Sequence, residues 1–137
     1  SYNITRPAGG GAIGTANEFS SNDIGIEFGK MLTAHDDTIA SAGDGTSVDD
    51  GAATTAGASA ALHVFSLGSG TATVAVQDSA DNITFAAVAG LGFTAATGRT
   101  SQRVATAAGA TLRRYVRHSV SGTFTNAKIA VAYRRDI

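Results

Sequence analysis

Residues 71–88 read TATVAVQDSADNITFAAV, two apolar alternations either side of a short acidic knot. In TATVAVQ (71–77) the residues Ala72, Val74 and Val76 recur at every second position, the period of a β-strand, whose successive side chains point to opposite faces. NITFAAV (82–88) reads as the strand that follows. Between them stand Asp78, Asp81 and Asn82. Asp and Asn bond their own backbone two residues on and tolerate left-handed conformations, so DSADN is a hairpin turn with a mechanism. A calcium loop would need several oxygens converging at about 2.4 Å and a later Glu that this pattern lacks. Two strands and a turn are the reading that decides the fold.

The same pattern runs outward in both directions. ALHVFSL (61–67), SQRVAT (101–106), TLRRYVRHSV (111–120) and AKIAVAY (127–133) are strand-like, and upstream NDIGIEF sets Ile24, Ile26 and Phe28 on one face against Asp23, Gly25 and Glu27. Strands about 8 to 14 residues apart with Gly, Ser, Asn or Asp between them are the pattern of an all-β sandwich or barrel. Alanine is abundant, but it is interleaved with Thr, Val and Gly, which oppose helix. The expectation is an antiparallel β-sandwich of jelly-roll type over residues 58–137, preceded by an extended, strand-forming N-terminal arm (1–40). A Gly/Ala/Thr-rich linker or loop (41–57) separates the two. Val74, Val76, Phe85, Val104, Val116, Ile129 and Val131 are expected in the core, each on the apolar phase of its strand.

A chain of 137 residues is of single-domain size. It has no cysteine, so stability must come from packing or assembly. No apolar run reaches membrane-spanning length, and SYNITRPAGGG lacks the pattern of a signal peptide, so a soluble chain without an export signal is expected. The net charge of −1 conceals a division. Glu18, Asp23, Glu27, Asp36, Asp37, Asp44, Asp49 and Asp50 precede residue 51, where Arg6 and Lys30 are the bases, whereas Arg113, Arg114, Arg117, Lys128, Arg134 and Arg135 crowd the C-terminal part. Two readings are open: strand pairing cancels the charges within one fold, or opposite faces of the subunit attract head to tail.

Candidate chemistry is sparse. Asp44, Asp49 and Asp50 in DGTSVDDG are a weak calcium candidate beside the simpler reading of solvated turn residues. His35, His63 and His118 are scattered without ligand spacing, and GxSxG is absent. RRYVR (113–117) has the composition of a phosphate grip, but a strand with one solvated face accounts for it equally. Neither an enzyme nor a cofactor is expected, and no sequence-specific nucleic-acid or membrane partner.

The run VDDGAATTAGASAALHVFS, with TVAVQDSADNITFAAVAGLGFTAAT, SQRVA and LRRYVRHSVSGTFTNAKIAVAY, resembles a domain of tailed-bacteriophage virion proteins. It is similar to the C-terminal extension of major tail (tail tube) proteins of long-tailed phages, and SYNITRPAGGGAIGTANEFSSNDIGIEFGK resembles the last strand pair of the tube domain. More weakly, SADN (79–82), Phe85 and RYVR (114–117) resemble discoidin-type, galactose-binding sandwiches. A full tube domain has more strands ahead of Tyr2, so the resemblance implies a truncated form, a processed product or a stand-alone relative. Its implications are a non-enzymatic virion protein assembled in the host cytoplasm, in the tail tube or its surface domain. Capsid decoration (cement) is the alternative, and a carbohydrate-binding module touching host glycans a further one.

Assembly follows from the arm. The apolar face of Ile24, Ile26 and Phe28 calls for a neighbouring sheet, and Glu27 with the other arm acids would then face Arg113, Arg114, Arg117, Arg134 or Arg135 of the next subunit. The expected partner is a second copy, in a ring or filament, together with other virion proteins.

Overall fold

The computed structural model describes residues 29–33 and 38–136, and these contain β-strands and no helix. In chain order the strands are β1 (Lys30–Met31), β2 (Thr38–Ile39), β3 (Gly43–Asp44), β4 (Val48–Asp49), β5 (Ala58–Ser66), β6 (Ser69–Ser79), β7 (Ala86–Gly92), β8 (Thr100–Ala105), β9 (Tyr115–Thr125) and β10 (Ala127–Arg135). They form two antiparallel sheets. The first runs β1-β10-β5-β8 with β2 also on β10, and the second runs β3-β9-β6-β7 with β4 also on β9.

Alternation builds the core. From the first sheet Ala60, Leu62, Val64, Ile129, Val131 and Tyr133 point inward, and from the second Ala72, Val74, Val76, Val116 and Val120 meet them. Full burial of a Val or Leu side chain is worth about 1.5–3 kcal/mol before chain entropy is counted, so the two inner faces supply the driving force. Where β6 and β9 pair near their ends, Gly70 and Gly122 have φ of 85° and 105°. A Cβ at either would lie 2.1 Å or 2.3 Å from a carbonyl oxygen of the opposing strand, so the close approach there requires glycine.

Three expectations are adjusted. Residues 41–57 are not a free linker: β3 and β4 add to β9, and Thr54 and Leu112 exchange both backbone hydrogen bonds at 2.9 Å. At the end of the expected arm, β1 and β2 pair with β10 of the same chain, so the described residues before 41 belong to the sandwich. Two-residue strands are too short to show a period, and the core side chains in or beside them, Leu32, Ile39 and Val48, stand in no alternating run. Finally, Phe85 and Val104 are half-buried rather than buried. β7 begins at Ala86, which leaves Phe85 in the turn, and Val104 lies on β8, the edge of its sheet. Val74, Val76, Val116, Ile129 and Val131 are buried as expected.

Candidate functional site

Local chemistry forms the tip between β6 and β7. Asp81 accepts hydrogen bonds from the backbone N–H of Thr84 (2.8 Å) and Ile83 (2.9 Å) and from Ser79 Oγ (2.7 Å). These donors hold its carboxyl well below the usual carboxylate range. Asn82 adopts φ 61°, as a left-handed Asn in a tight turn does, and its Oδ1 accepts from Ser47 Oγ at 2.6 Å. Ile83 stands at the apex, 84% exposed. DSADN is a turn.

Each acid of the calcium candidate has its own basic partner. Asp44 pairs with Arg117 at 2.7 Å. Asp49 receives Nε and Nη2 of Arg114, both at 2.7 Å, and with the Gly51 N–H this fork holds the Asp49 carboxyl down to about 2. Asp50, its side chain only 4% exposed, accepts from the Tyr133 hydroxyl at 2.6 Å and forms ion pairs with Arg135 (Nε at 2.6 Å) and the Lys30 ammonium. The three carboxylates do not converge, and no cluster of His and acids with metal-binding geometry exists among the described residues.

The arginines expected to face a neighbouring subunit are likewise engaged within the chain. Arg113 donates its backbone N–H (2.7 Å) and Nε (2.8 Å) to Asp78, whose side chain is 7% exposed, and this pairing raises the Arg113 pKa. Arg114 is raised in the same way by Asp49. Arg117 lies over the Phe85 ring at 3.9 Å and donates to Gln77 at 2.9 Å, so Phe85 packs under a guanidinium on the outside of the sheet. Arg134 pairs with Asp136. Arg135 donates to the carbonyls of Ala52, Arg113 and Arg114 besides facing Asp50, which pins two loop segments to the end of β10. The charge division is cancelled by pairing within the fold at these positions. Ile24, Ile26, Glu27 and Phe28 lie outside the described residues, as does His35.

Compared with protein-family models, curated proteins and solved structures, the chain matches none.

Two residues that pattern reading undervalues hold the layers together. His118 is buried on β9, and its Nδ1 lies 2.8 Å from the Leu32 carbonyl beside the first sheet, so the imidazole ties one sheet to the other. Tyr133 is buried on β10, and burial together with the hydrogen bond to Asp50 pushes its phenol up. On the opposite side, Gln102 of β8 reproduces a strand bridge with its amide: Oε1 accepts from the Thr94 N–H at 2.8 Å, and Nε2 donates to the Thr94 carbonyl at 2.9 Å. His63 faces outward, bonded to Ser101 and stacked on the exposed Phe65 ring. The signal for all of these was a polar residue on a strand, whose partner only the fold reveals.

Among the described residues β7 pairs only with β6, and β8 only with β5. The bond from Thr106 N–H to the Ala58 carbonyl at 2.9 Å sets the alternation, so Ser101, Arg103 and Ala105 turn their backbone N–H and C=O groups away from β5.

Proposed function

We propose that the protein is a non-enzymatic structural component of a bacteriophage virion, a major tail (tail tube) protein or its surface domain, that assembles with itself through its N-terminal residues. What supports the reading is the use of its charges. Every carboxylate among the described residues is engaged in the scaffold: Asp44, Asp49, Asp50, Asp78 and Asp136 by basic side chains, and Asp81 by turn backbone. A general acid or base, by contrast, must stand within hydrogen-bonding reach of a substrate proton.

The resemblance of the sequence to phage tail extensions supplies the setting, and the paired sheets supply a rigid unit suited to repetition. The first described strand, β1, lies beside the C-terminal part of β10. Lys30 lies opposite Tyr133 and Met31 opposite Ala132, and β10 ends as a strand at Arg135. Arg134 and Arg135 of β10 extend beyond the residues paired with β1, and the alternation of Ile24, Ile26 and Phe28 in the sequence is the feature the assembly reading uses.

Electron microscopy of the purified chain, alone and with phage capsids, tests this. Rings or tubes of the protein alone support the tail reading. Monomers or trimers that bind only assembled shells indicate capsid decoration instead, and an unassembled protein that binds neither particle overturns both.

A further inference from the structure

We infer that the loop of residues 93–99 and the start of β8 form a binding site for a terminal phosphate group, with the Arg99 guanidinium and the hydroxyls of Thr94, Thr97 and Thr100 as its donors. The site is independent of the assembly reading above.

Arg99 is set apart by its surroundings. Arg113, Arg114, Arg117, Arg134 and Arg135 each face a carboxylate, whereas the sequence has no Asp or Glu between Asp81 and Asp136. Among the described residues the one hydrogen bond of the Arg99 side chain runs from Nε to the Phe65 carbonyl, at 3.2 Å. That carbonyl steadies the guanidinium without neutralising it, and both Nη groups stay available. Two such groups side by side are a fork that fits the oxygens of a carboxylate or a phosphate.

Arg99 also lines a concavity. Together with Thr94, Thr97, Gly98, Thr100 and Gln102 it bounds a hollow of about 530 Å³ on the loop between β7 and β8. The Gln102 amide is spent on the Thr94 backbone. The hydroxyls of Thr94, Thr97 and Thr100 and the backbone N–H groups of Thr97, Gly98 and Arg99 have no hydrogen-bond partner among the described residues. Each of these groups can donate, and no acidic side chain lines the hollow. A carboxylate brings two acceptor oxygens, whereas a terminal phosphate brings three with a charge of about −1.5 to −2 near neutral pH. The surplus of donors therefore selects the phosphate.

The hollow is formed in advance. Phe93 and Ala96 are buried, the Phe93 N–H donates to the Val74 carbonyl at 2.9 Å, and Ala96 exchanges both backbone hydrogen bonds with Ala72 at 2.8 and 2.9 Å. These bonds fix the loop to β6 of the second sheet, and the Gln102 clasp on Thr94 fixes it to β8 of the first. A ligand that enters has little loop ordering to offset. Gly98 leaves room: a Cβ there would meet nothing within 4 Å, so a longer side chain can be placed in the hollow as a probe.

The test is a titration of the full chain, followed by the backbone amide signals in two-dimensional nuclear magnetic resonance, at neutral pH and constant ionic strength. Inorganic phosphate and glycerol 3-phosphate should each shift the amides of Thr97, Gly98 and Arg99 saturably, and acetate or chloride should not. R99Q should weaken phosphate binding by roughly tenfold, and T97V, nearly unchanged in shape, by about threefold. G98D, which sets a carboxylate in the hollow, should abolish it. Far-ultraviolet circular dichroism should be the same for all three variants and the wild type, and R99Q with T97V carries the test if G98D does not fold. An absence of saturable shifts, equal shifts with acetate, wild-type affinity in R99Q, or shifts centred on residues 113–117 instead of the loop overturns the inference.

Discussion

Asp81 and Asp50 stand in two acidic stretches of similar composition, DSADN and SVDDG, and they are satisfied in opposite ways. Asp81 finds all its donors within three residues, Ser79, Ile83 and Thr84, so its carboxylate is satisfied without the rest of the protein. Asp50 finds Lys30, Tyr133 and Arg135, from the two ends of the described chain. The first is a local device at the rim, and the second joins β1, the segment after β4 and β10. A carboxylate's contribution here depends on how far along the chain its partners lie and how much water it has lost, not on the motif around it.

The comparison predicts unequal costs. Asp50→Ala should have the largest effect, because it leaves Arg135 and Tyr133 without their buried counterpart; removing one partner of a buried ion pair costs about 3–5 kcal/mol. Urea unfolding should show that loss, and a change under about 1 kcal/mol would mean that Asp50 behaves like a surface acid.

Acid titration should give an intermediate effect. Asp49 has its folded pKa lowered from 3.8 to about 2 by Arg114 and Gly51, and Asp81 is shifted in the same direction by its turn donors. A depressed folded pKa contributes stability that is present above the unfolded value and lost as pH falls through the folded one. The urea midpoint should therefore decline between about pH 4 and pH 2, and the decline should be shallower in the double variant D49N/D81N. An equal slope in that variant would assign the acid response to other carboxylates.

The smallest effect should come from Ile83→Ser, at the apex of the turn. A largely solvated side chain outside the core should shift stability by no more than about 0.5 kcal/mol. A larger loss in thermal unfolding would show that the tip is not independent of the layers beneath it.

The long strands were legible because their alternation persists for seven residues or more: Val74 and Val76, Ile129 and Val131 each sit on the phase that the fold buries. The turn at Asp81 and Asn82 was legible because its hydrogen bonds are local. Residues 41–57 were not, since β3 and β4 are two residues long and their anchoring bonds go to β9, more than sixty positions away. The arginines show the same limit. Their abundance after residue 110 was plain, but that Arg113, Arg114, Arg117 and Arg135 find acids within the chain was not. By itself the sequence determined the long strands, their faces and the tight turn, since side-chain period and local hydrogen bonding act within a few residues. Only the tertiary structure decided which charges pair with one another and, among the described residues, which strands lie at the sheet edges, because both depend on backbone and side chains that meet across the two sheets.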